Sequence, residues 1–424
     1  MIQSRCRQNE KSVTPIIKGK DMYFNKIFGS ILMLIGITIG AGILALPLIS
    51  AKSGFIISSI GLIGIWILML YTGLLVLEVN LAFPIYRNNF SSMSKMTLGR
   101  CGYIVTWISC IALLYALGAA YIAGNSSLLS AGFKLFFHLN VPRQLNALLF
   151  TIVFGGVVFW STQIVDHLNR YLLTLKAISL ITAIILLMPH VNIHLLYSQP
   201  YHTQSLLGSI PVFLCAFGYH TIIPSLSNYL GRYPKKLKKV IVIGASVPLL
   251  FYLLWMFVIL TIVPLAGEYG FNAISHNNHA SLQGLMYNLY HLVEHKWINV
   301  IVNVFSDIAM TTSFLGVTLG LFDFLADHFK RLNTMFGRLQ TAGLTFIPPL
   351  LFACFYPNGF IIALRYVAIF VAILEVILPA MMVWFLRRNP DRFQSPYRAW
   401  GNNMVLTLVI LCGFSLITIQ FFNL

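Results

Sequence analysis

Long stretches without any charged residue constrain this chain more than any other feature of its sequence. Residues 101–133 are 33 consecutive residues without Asp, Glu, Lys or Arg, and residues 177–231 form a similar stretch of 55. Since about 20 apolar residues cross a bilayer as a helix, the longer stretch has room for two crossings. The polar segment 189–205 supplies the break between them. The chain is therefore predicted to be an all-α integral membrane protein.

Composition excludes the soluble classes of protein. Hydrophobic residues make up 58% of the chain and charged residues only 9%, whereas a soluble domain carries about 25% charged residues. A soluble enzyme and a disordered chain are both excluded on this ground. The six cysteines form no C-x-x-C pair, so the sequence supports neither a disulfide framework nor a zinc site.

Eleven transmembrane helices are predicted from the charge-free windows and from two apolar segments with isolated charges. They are placed at residues 27–48, 55–80, 103–130, 145–161, 170–188, 206–230, 239–264, 297–324, 340–356, 360–386 and 402–422. Residues 1–26 are polar and are predicted to be a cytoplasmic tail, and residues 27–424 a single membrane domain. No cleavable signal peptide is indicated.

The loop charges predict the orientation. With a cytoplasmic N-terminus, the inside segments hold 23 Lys and Arg residues and the outside segments hold 5. Such an excess is typical of cytoplasmic loops, so the N-terminus is predicted inside and, with eleven helices, the C-terminus outside. The same count explains the net charge of +17 without a nucleic-acid partner.

Two predicted helices carry internal breaks. Helix 1 contains Gly40 and Gly42, followed by Pro47, and helix 6 contains Gly218, followed by Pro224. Either pattern alone is common in membrane helices that pack closely. Together, at an offset of five helices, they are typical of an inverted repeat whose discontinuous helices form a site at the membrane midplane. The predicted halves are residues 27–188 and 206–386, with residues 402–422 as an additional helix.

Unwound segments at membrane depth free backbone groups that need partners. The amides of Ala41, Gly42 and Ile43 begin the second half of helix 1, where the helix dipole favours a carboxylate. Carbonyls in the region of Phe217 and Gly218 suit an ammonium group. A zwitterionic amino acid is therefore the natural ligand, and the glycines, including Gly40, allow it to approach the backbone.

Two ionisable side chains at membrane depth are functional candidates. Asp307 lies about 15 Å into helix 8 at 1.5 Å per residue. With Asn303, Thr311 and Phe314 it forms a stripe that must face protein or a cavity, either as interhelical hydrogen bonds or as a site. Lys176 lies in helix 5, where it either reaches the headgroups or points inward and titrates with its surroundings.

His220 follows the break in helix 6 and is interpreted either as a packing residue or as part of the site. His291 and His295 have the spacing of a helical metal pair, but a third ligand is missing and no metal site is predicted. Phosphate-binding and hydrolase motifs are also absent from the sequence. No cofactor is predicted.

Several segments resemble the hydroxy and aromatic amino acid permeases. Residues 36–47 (GITIGAGILALP) resemble the first-helix signature of that family, and residues 217–220 (FGYH) with Pro224 resemble its sixth helix. The remaining matches, in helices 8 and 9 and at the end of helix 2, are residues 311–327, 337–341, 346–349, 355–357 and 77–79. The resemblance is nearest to the bacterial tyrosine-specific and tryptophan-specific branch.

The resemblance implies a leucine-transporter-like core of two inverted five-helix repeats with discontinuous helices 1 and 6. It also implies proton-coupled uptake of an amino acid across a bacterial inner membrane. Lys176 resembles the lysine that some proton-coupled relatives place where others bind sodium. Proton coupling is accordingly assigned to Lys176, with Asp307 as its partner or as an independent proton site.

Tyrosine is the expected substrate, imported with protons by alternating access. Phe217, Tyr219, Tyr115 and Phe314 are expected to line an aromatic pocket, since ring contacts add about 0.5–1.5 kcal/mol beyond area burial. The main alternative is a serine/threonine permease of the same family. A channel and an intramembrane enzyme are the alternatives from other classes, and the sequence leaves the oligomeric state open.

Overall fold

The computed structural model describes residues 17–84, 89–197, 203–276, 281–329, 334–356 and 359–423. Residues 1–16, most of the predicted tail, lie outside the described residues, as do Arg87, Lys330, Arg331 and Pro357 among the residues used above. Residues 17–26 of the predicted tail are helical, so the first helix begins ten residues earlier than expected. The predicted orientation of the termini stays a prediction.

The described residues form helices joined by short connections, with no strand among them. The helices are α1 Ile17–Thr38, α2 Gly42–Ser50, α3 Gly54–Ala82, α4 Phe90–Phe137, α5 Arg143–Trp160, α6 Thr162–Leu187, α7 Ile193–Tyr197, α8 Thr203–Ala216, α9 Ile223–Leu230, α10 Pro234–Ile262, α11 Phe271–His276, α12 Ser281–Val293, α13 Lys296–His328, α14 Met335–Phe355, α15 Gly359–Val371, α16 Leu378–Arg388 and α17 Asn403–Asn423. A π-helical segment, Ala372–Ile377, joins α15 to α16.

Within the described residues, nine segments are long and apolar enough to cross a membrane, and α1 with α2 makes a tenth as one span bent by 50°. The all-α membrane architecture is thereby confirmed. The predicted helix at residues 340–356 corresponds to α14, a helix of 21 residues that contains two prolines and is not among those spans. The count of eleven and the inverted repeat stay predictions.

Helix boundaries follow local chemistry where the chain turns. Gly99 has a φ of 71° and separates a short first part of α4 from its long membrane part, because only glycine adopts this conformation at little cost. Ser161 is extended and its hydroxyl accepts a hydrogen bond from the Gln163 amide at 3.2 Å, which caps α6. Short helices α11 and α12 lie in the connection between the predicted helices at residues 239–264 and 297–324.

Both predicted helix breaks are present. Residues 39–41 separate α1 from α2 and are called the first break below. Residues 217–219 separate α8 from a short 3₁₀ turn, His220–Ile222, and are called the second break. The residues on either side of both breaks are almost entirely buried, so the irregular backbone is enclosed by protein, as membrane-embedded segments of this kind must be.

The core lies where α2, α3, α8, α10 and α13 surround these two breaks. α2 packs along α8, α1 packs on α10, and α13 packs on α6 and α4. The exposed apolar residues of α5, α6, α14 and α17 form the lipid-facing surface expected of a membrane protein. This arrangement places the breaks at the centre of the helix bundle.

Candidate functional site

The two breaks lie directly against each other. A Cβ atom added to Gly42, the first residue of α2, would lie 3.3 Å from the Cα of Ala216, the last residue of α8. That spacing is tighter than most side-chain contacts, so a larger residue at position 42 would push the two helices apart. The start of one half-helix and the end of another therefore form one continuous, buried surface.

Tyr252 of α10 ties the breaks together. Its buried hydroxyl lies 2.5 Å from the Thr38 carbonyl oxygen and 2.7 Å from the Ala216 carbonyl oxygen. These carbonyls end α1 and α8, where the amide of a continuing helix is missing. The Thr38 carbonyl also accepts from the Gly40 amide at 2.8 Å. The hydroxyl donates its one hydrogen between them. Sequence reasoning missed Tyr252, because a tyrosine in an apolar helix gives no sign of what it faces.

Ser313 of α13 faces the first break. The Ala41 amide donates to the Ser313 hydroxyl at 3.2 Å, and a Cβ on Gly40 would lie 2.7 Å from the same oxygen. Glycine at position 40 is therefore required for this close approach. Tyr121 of α4, also fully buried, adds a side-chain hydrogen bond to Ser313. Both Ser313 and Tyr121 were missed from the sequence.

Lys176 points into the bundle. Its Nζ donates to the Gly36 carbonyl oxygen at 3.0 Å and to the Thr312 hydroxyl at 3.3 Å, and only 3% of the residue is exposed. The ammonium group thus joins α6 to α1 just before the first break, and to α13. In this structure Lys176 does not extend to the membrane surface.

Asp307 stands apart from Lys176. Among the described residues the two form no ion pair, and Asp307 Oδ1 is buried without a hydrogen-bond partner. Five residues separate Asp307 from Thr312, the residue of α13 that Lys176 contacts, which turns the two side chains about 140° apart on the helix. Direct partnership, one of the two roles expected for Asp307, is absent from this arrangement. Thr311, also predicted for the site, is buried in the same helix.

His220 belongs to a buried polar group at the second break. Its Nε2 lies 2.8 Å from the Thr72 hydroxyl of α3, and its Nδ1 lies 2.8 Å from Glu375 Oε2 in the π-helical segment. The angles of the second contact are poor for a hydrogen bond, so it is mainly electrostatic. A Cβ on Gly218 would meet Glu375 Oε1 at 3.6 Å. This carboxylate was noted in the sequence only as an isolated charge in an apolar helix.

Two of the four expected aromatic residues lie at the second break. Phe217 packs edge-on against Tyr252 with ring centroids 5.3 Å apart. Tyr219 stacks on His220 at 4.8 Å, and its hydroxyl donates to the Met69 carbonyl oxygen at 3.1 Å. Both side chains are buried and already have partners in this structure.

The other two expected aromatic residues, Phe314 and Tyr115, lie away from the breaks. Phe314 packs between Phe150 and Phe346, with ring centroids 4.9 and 6.2 Å away. Tyr115 donates to the Leu344 carbonyl oxygen at 2.9 Å and lines an apolar cavity of about 580 Å³ between α4, α14 and α15. Direct contacts link neither residue to the breaks in the described part of the chain, so a single pocket of all four rings is not formed here.

The two ends of the bundle differ. A cavity of about 350 Å³ lies beyond the end of α2 and the start of α8, where its polar lining includes Lys52 and Arg365. At the other end, Arg387 holds Glu78 through two hydrogen bonds of 2.8 and 2.7 Å. Arg232 there caps α3 by donating to the Asn80, Leu81 and Phe83 carbonyls. One end therefore carries a polar cavity, and the other carries a buried ion pair and a capped helix end.

Within the described ranges, no group of three His, Cys, Asp or Glu side chains is arranged to hold a metal ion. His291 lies near the C-terminal end of α12, and its ring packs on the rings of Tyr269 and Tyr287. His295 precedes α13, so the two histidines do not share a helix.

Comparison with known proteins agrees with the resemblance seen in the sequence. Residues 24–420 match the profile of the Tryptophan/tyrosine permease family. Tyrosine-specific transport system 2 of Haemophilus influenzae is 37% identical over 402 residues, covering 94% of this chain and 97% of that protein. The Tryptophan-specific transport protein of Pseudomonas aeruginosa is 33% identical over 392 residues, covering 91% and 92%.

A third relative, the Tyrosine permease of Enterobacter agglomerans, is 30% identical over 391 residues, covering 90% of this chain and 92% of its own. The relatives are bacterial amino acid transport proteins and not enzymes. The match extends over nearly the whole membrane domain, including both breaks and the helices that pack on them. The chain belongs to the Tryptophan/tyrosine permease family.

Proposed function

We propose that this protein imports aromatic amino acids, with tyrosine preferred, together with protons by alternating access. The observation that carries the proposal is the contact between the two breaks at Gly42 and Ala216. It brings the amino end of α2 next to the carboxyl end of α8, so amide donors and carbonyl acceptors lie side by side in a buried place. A zwitterion has groups that complement both.

The substrate carboxylate binds at the start of α2 in this proposal. The amides of Ala41, Gly42 and Ile43 lie there, and the positive end of the helix dipole favours an anion. Ser313 already accepts a hydrogen bond from the Ala41 amide, so its hydroxyl is displaced by the carboxylate or donates to it. The ammonium group binds the carbonyls of the second break, near Phe217 and Gly218.

Selectivity for an aromatic side chain is assigned to rings near the second break, above all Phe217 and Tyr219. Tyr115 and Phe314 remain candidates for the pocket in a conformation in which the helices around the breaks have moved. The names of relatives support both tyrosine and tryptophan as substrates. Tyrosine is preferred because the relatives that are 37% and 36% identical are tyrosine-specific, whereas the tryptophan-specific proteins reach 33%.

Lys176 is the coupling group of the proposal. Its ammonium holds α1, α6 and α13 together through Gly36 and Thr312, in the place a cation would occupy. Loss of the proton removes the charge and weakens both contacts, which frees α1 near the first break. Since Asp307 is not paired with Lys176, it serves as an independent proton site.

The proposed architecture is two inverted repeats, residues 27–188 and 206–386, with residues 402–422 outside them. The protein lies in the bacterial inner membrane, with the N-terminus in the cytoplasm and the C-terminus in the periplasm. The cavity beside Lys52 and Arg365 then opens to the periplasm, and the Glu78–Arg387 pair closes the cytoplasmic side. This orientation suits the entry of substrate from outside.

Uptake of labelled tyrosine by purified protein in liposomes tests the proposal. An inward proton gradient should drive accumulation, and unlabelled tryptophan and phenylalanine should compete more strongly than serine or threonine. Stronger competition by serine would favour the serine/threonine alternative. Flux that neither saturates nor shows counterflow would identify a channel instead.

A further inference from the structure

An ionisable side chain from a later helix contacts the chain beside each break. Lys176, in the fifth predicted helix, binds Gly36 of the first helix. Glu375, in the tenth, lies against His220 and Gly218 of the sixth. Both pairings join helices four positions apart in the predicted order. Proton coupling has so far been assigned to the first break alone. The second break lies beside both an imidazole and a carboxylate, and each of these groups can bind a proton.

We propose that His220 and Glu375 form a second proton-binding site, which holds one exchangeable proton on either His220 Nδ1 or Glu375 Oε2. This inference rests on the proposed transport function. It adds a site at the second break to the one that Lys176 provides at the first. The site is built from α3, the second break and the π-helical segment, which Thr72, His220 and Glu375 connect.

The hydrogen bonds of Thr72 determine what the pair can hold. The Thr72 hydroxyl lies within donating distance of the Leu68 and Met69 carbonyl oxygens, at 3.1 and 3.2 Å. When it donates to them, it accepts from a protonated His220 Nε2. A second proton is then needed on Nδ1 or on the carboxylate, because the lone pairs of these two close groups would otherwise repel each other. The loaded pair has no net charge, whether that proton sits on Nδ1 or on Oε2.

Release of one proton to water leaves a single proton on the imidazole and a carboxylate on Glu375. That remaining proton lies on Nδ1, because a bare nitrogen facing a carboxylate 2.8 Å away would be repelled. Nε2 then becomes an acceptor, and the Thr72 hydroxyl rotates to donate to it. Loading and release therefore exchange the imidazole tautomer and change the charge of the site by one.

Other groups around Glu375 do not replace this proton. Cys215 of α8 and Tyr219 interact with it electrostatically, and both are uncharged in their ordinary state at neutral pH. α3, α4 and α17 also pack on the π-helical segment. α17 contains no charged residue, and the carboxylate of Glu78 in α3 is paired with Arg387. Among the described residues, no ion pair joins Glu375 to the charged residues of α4, which are Lys95, Arg100 and Lys134. On α15 and α16 the charged residues nearest in sequence are Arg365 and Arg387, ten or more positions away. Within the described residues, His220 is therefore the side chain that lies at ion-pair distance from Glu375.

Because the site is buried, exchange of its proton with water depends on a conformational change. The His220 and Glu375 side chains are 0% and 4% exposed, so water does not reach them in this conformation. A π-helical segment inserts one residue into a helix and is frequent at functional sites, and here it aims Glu375 at the second break. Proton exchange then requires the second break to move, which links the charge of the site to the conformational cycle.

Nitrogen NMR of protein labelled with ¹⁵N-histidine, in lipid and without substrate, tests the site directly. A His220→Gln sample identifies the His220 signals by difference. We expect Nε2 to lose its proton as the pH rises while Nδ1 keeps one, and we expect no such exchange in Glu375→Gln, whose amide donates to Nδ1 at every pH. His220 signals that ignore pH in the unsubstituted protein would overturn the proposal.

Transport provides the second measurement. If the proton of this site crosses with substrate, Glu375→Gln should lower tyrosine accumulation about tenfold per unit of pH gradient, since each 1.4 kcal/mol is a factor of ten. Counterflow should persist, and Glu294→Gln, outside the membrane helices, is the control. Unchanged accumulation and pH profile in Glu375→Gln would overturn the coupling. Glu375→Asp keeps the acid and repeats the test if the glutamine variant does not fold.

These two measurements separate this inference from the proposed function. A tautomer exchange at His220 in a protein that transports no aromatic amino acid would retain the proton site and refute the substrate. Transport of tyrosine without a tautomer exchange at His220 would retain the substrate and refute the proton site.

Discussion

Each of the two breaks lies beside a buried ionisable side chain, and the two side chains are of opposite charge type. At the first break, a lone ammonium on Lys176 binds the Gly36 carbonyl, and Ser313 accepts from the Ala41 amide. At the second, a carboxylate on Glu375 faces the imidazole of His220. The first environment is cationic and lies next to the start of a helix, whereas the second contains the only carboxylate that the described residues place against a break.

This difference teaches how a buried centre can suit a zwitterion. A helix amino end beside a cation favours a carboxylate, and helix-terminal carbonyls beside a carboxylate favour an ammonium group. Buried charges are costly unless they are paired and hydrogen-bonded. Each break therefore keeps its ionisable group tied to backbone or side-chain partners, and Tyr252 holds the two breaks in register.

The contact between the breaks is the feature whose loss should matter most. Gly42→Val places side-chain atoms against Ala216, where a Cβ alone is already at 3.3 Å. Overpacking of this kind costs about 1–3 kcal/mol, so we expect tyrosine uptake to fall by about 100-fold while the protein remains in the membrane. Gly29→Val is the matched control, because a Cβ there meets nothing within 4 Å. Near-normal substrate affinity in Gly42→Val would remove the breaks from the substrate site.

Replacement of Lys176 should impair proton coupling while substrate binding is kept. Lys176→Ala deletes the donors to Gly36 and Thr312, so α1 loses its tie to α6 and α13. We expect accumulation driven by the proton gradient to fall by at least about tenfold, equivalent to ~1.4 kcal/mol, while counterflow of tyrosine survives. Lys238→Ala, at an exposed lysine of α10, is the control. Full accumulation with ordinary pH dependence in Lys176→Ala would move coupling away from the first break.

Loss of the tyrosine hydroxyl between the breaks should have an intermediate effect. Tyr252→Phe leaves the Thr38 and Ala216 carbonyls without this donor, at a cost of about 1–3 kcal/mol for an unsatisfied buried group. We expect lower thermal stability and about tenfold weaker tyrosine affinity. Tyr71→Phe removes a similar bond, to the Trp400 carbonyl, away from the breaks, and should reduce stability only. Equal transport defects in the two variants would argue against a special role for Tyr252.

The smallest effect is expected from Asp307. It forms no ion pair with Lys176 among the described residues, so Asp307→Asn should leave that ammonium in place. We expect uptake to change by about threefold, near 0.6 kcal/mol, measured across a pH series beside Lys176→Ala. An effect as large as that of Lys176→Ala would show that the two residues act together in another conformation.

Local sequence patterns were sufficient for the helices and for both breaks. The helices at residues 55–80 and 239–264 correspond to Gly54–Ala82 and Pro234–Ile262, because long apolar windows leave little choice of structure. Boundaries were less certain where a helix continues past the membrane. α4 begins at Phe90 instead of residue 103, since an amphiphilic turn before Gly99 remains helical.

The site was predicted only in part, and the reason is the distance along the chain between its members. Glycines 40, 42 and 218 were identified because their effect is local to the backbone. Ser313 lies 272 positions from Ala41, and Thr72 lies 148 from His220. A pattern along one helix cannot indicate such neighbours. The expected aromatic pocket included Tyr115 and Phe314, which lie elsewhere. The sequence could not show this, because the direction in which each side chain points depends on the rotation of its helix.

By itself the sequence determined that this chain crosses a membrane repeatedly, where two of its helices break, and which amino acid permeases it resembles. Those properties follow from hydropathy, from glycine and proline, and from segments read one at a time. Tertiary structure alone decided that Tyr252 joins the breaks, that Lys176 points inward without Asp307, and that Glu375 meets His220. The physical reason is that a buried polar group must find its partner across the bundle, and packing selects which partner it finds.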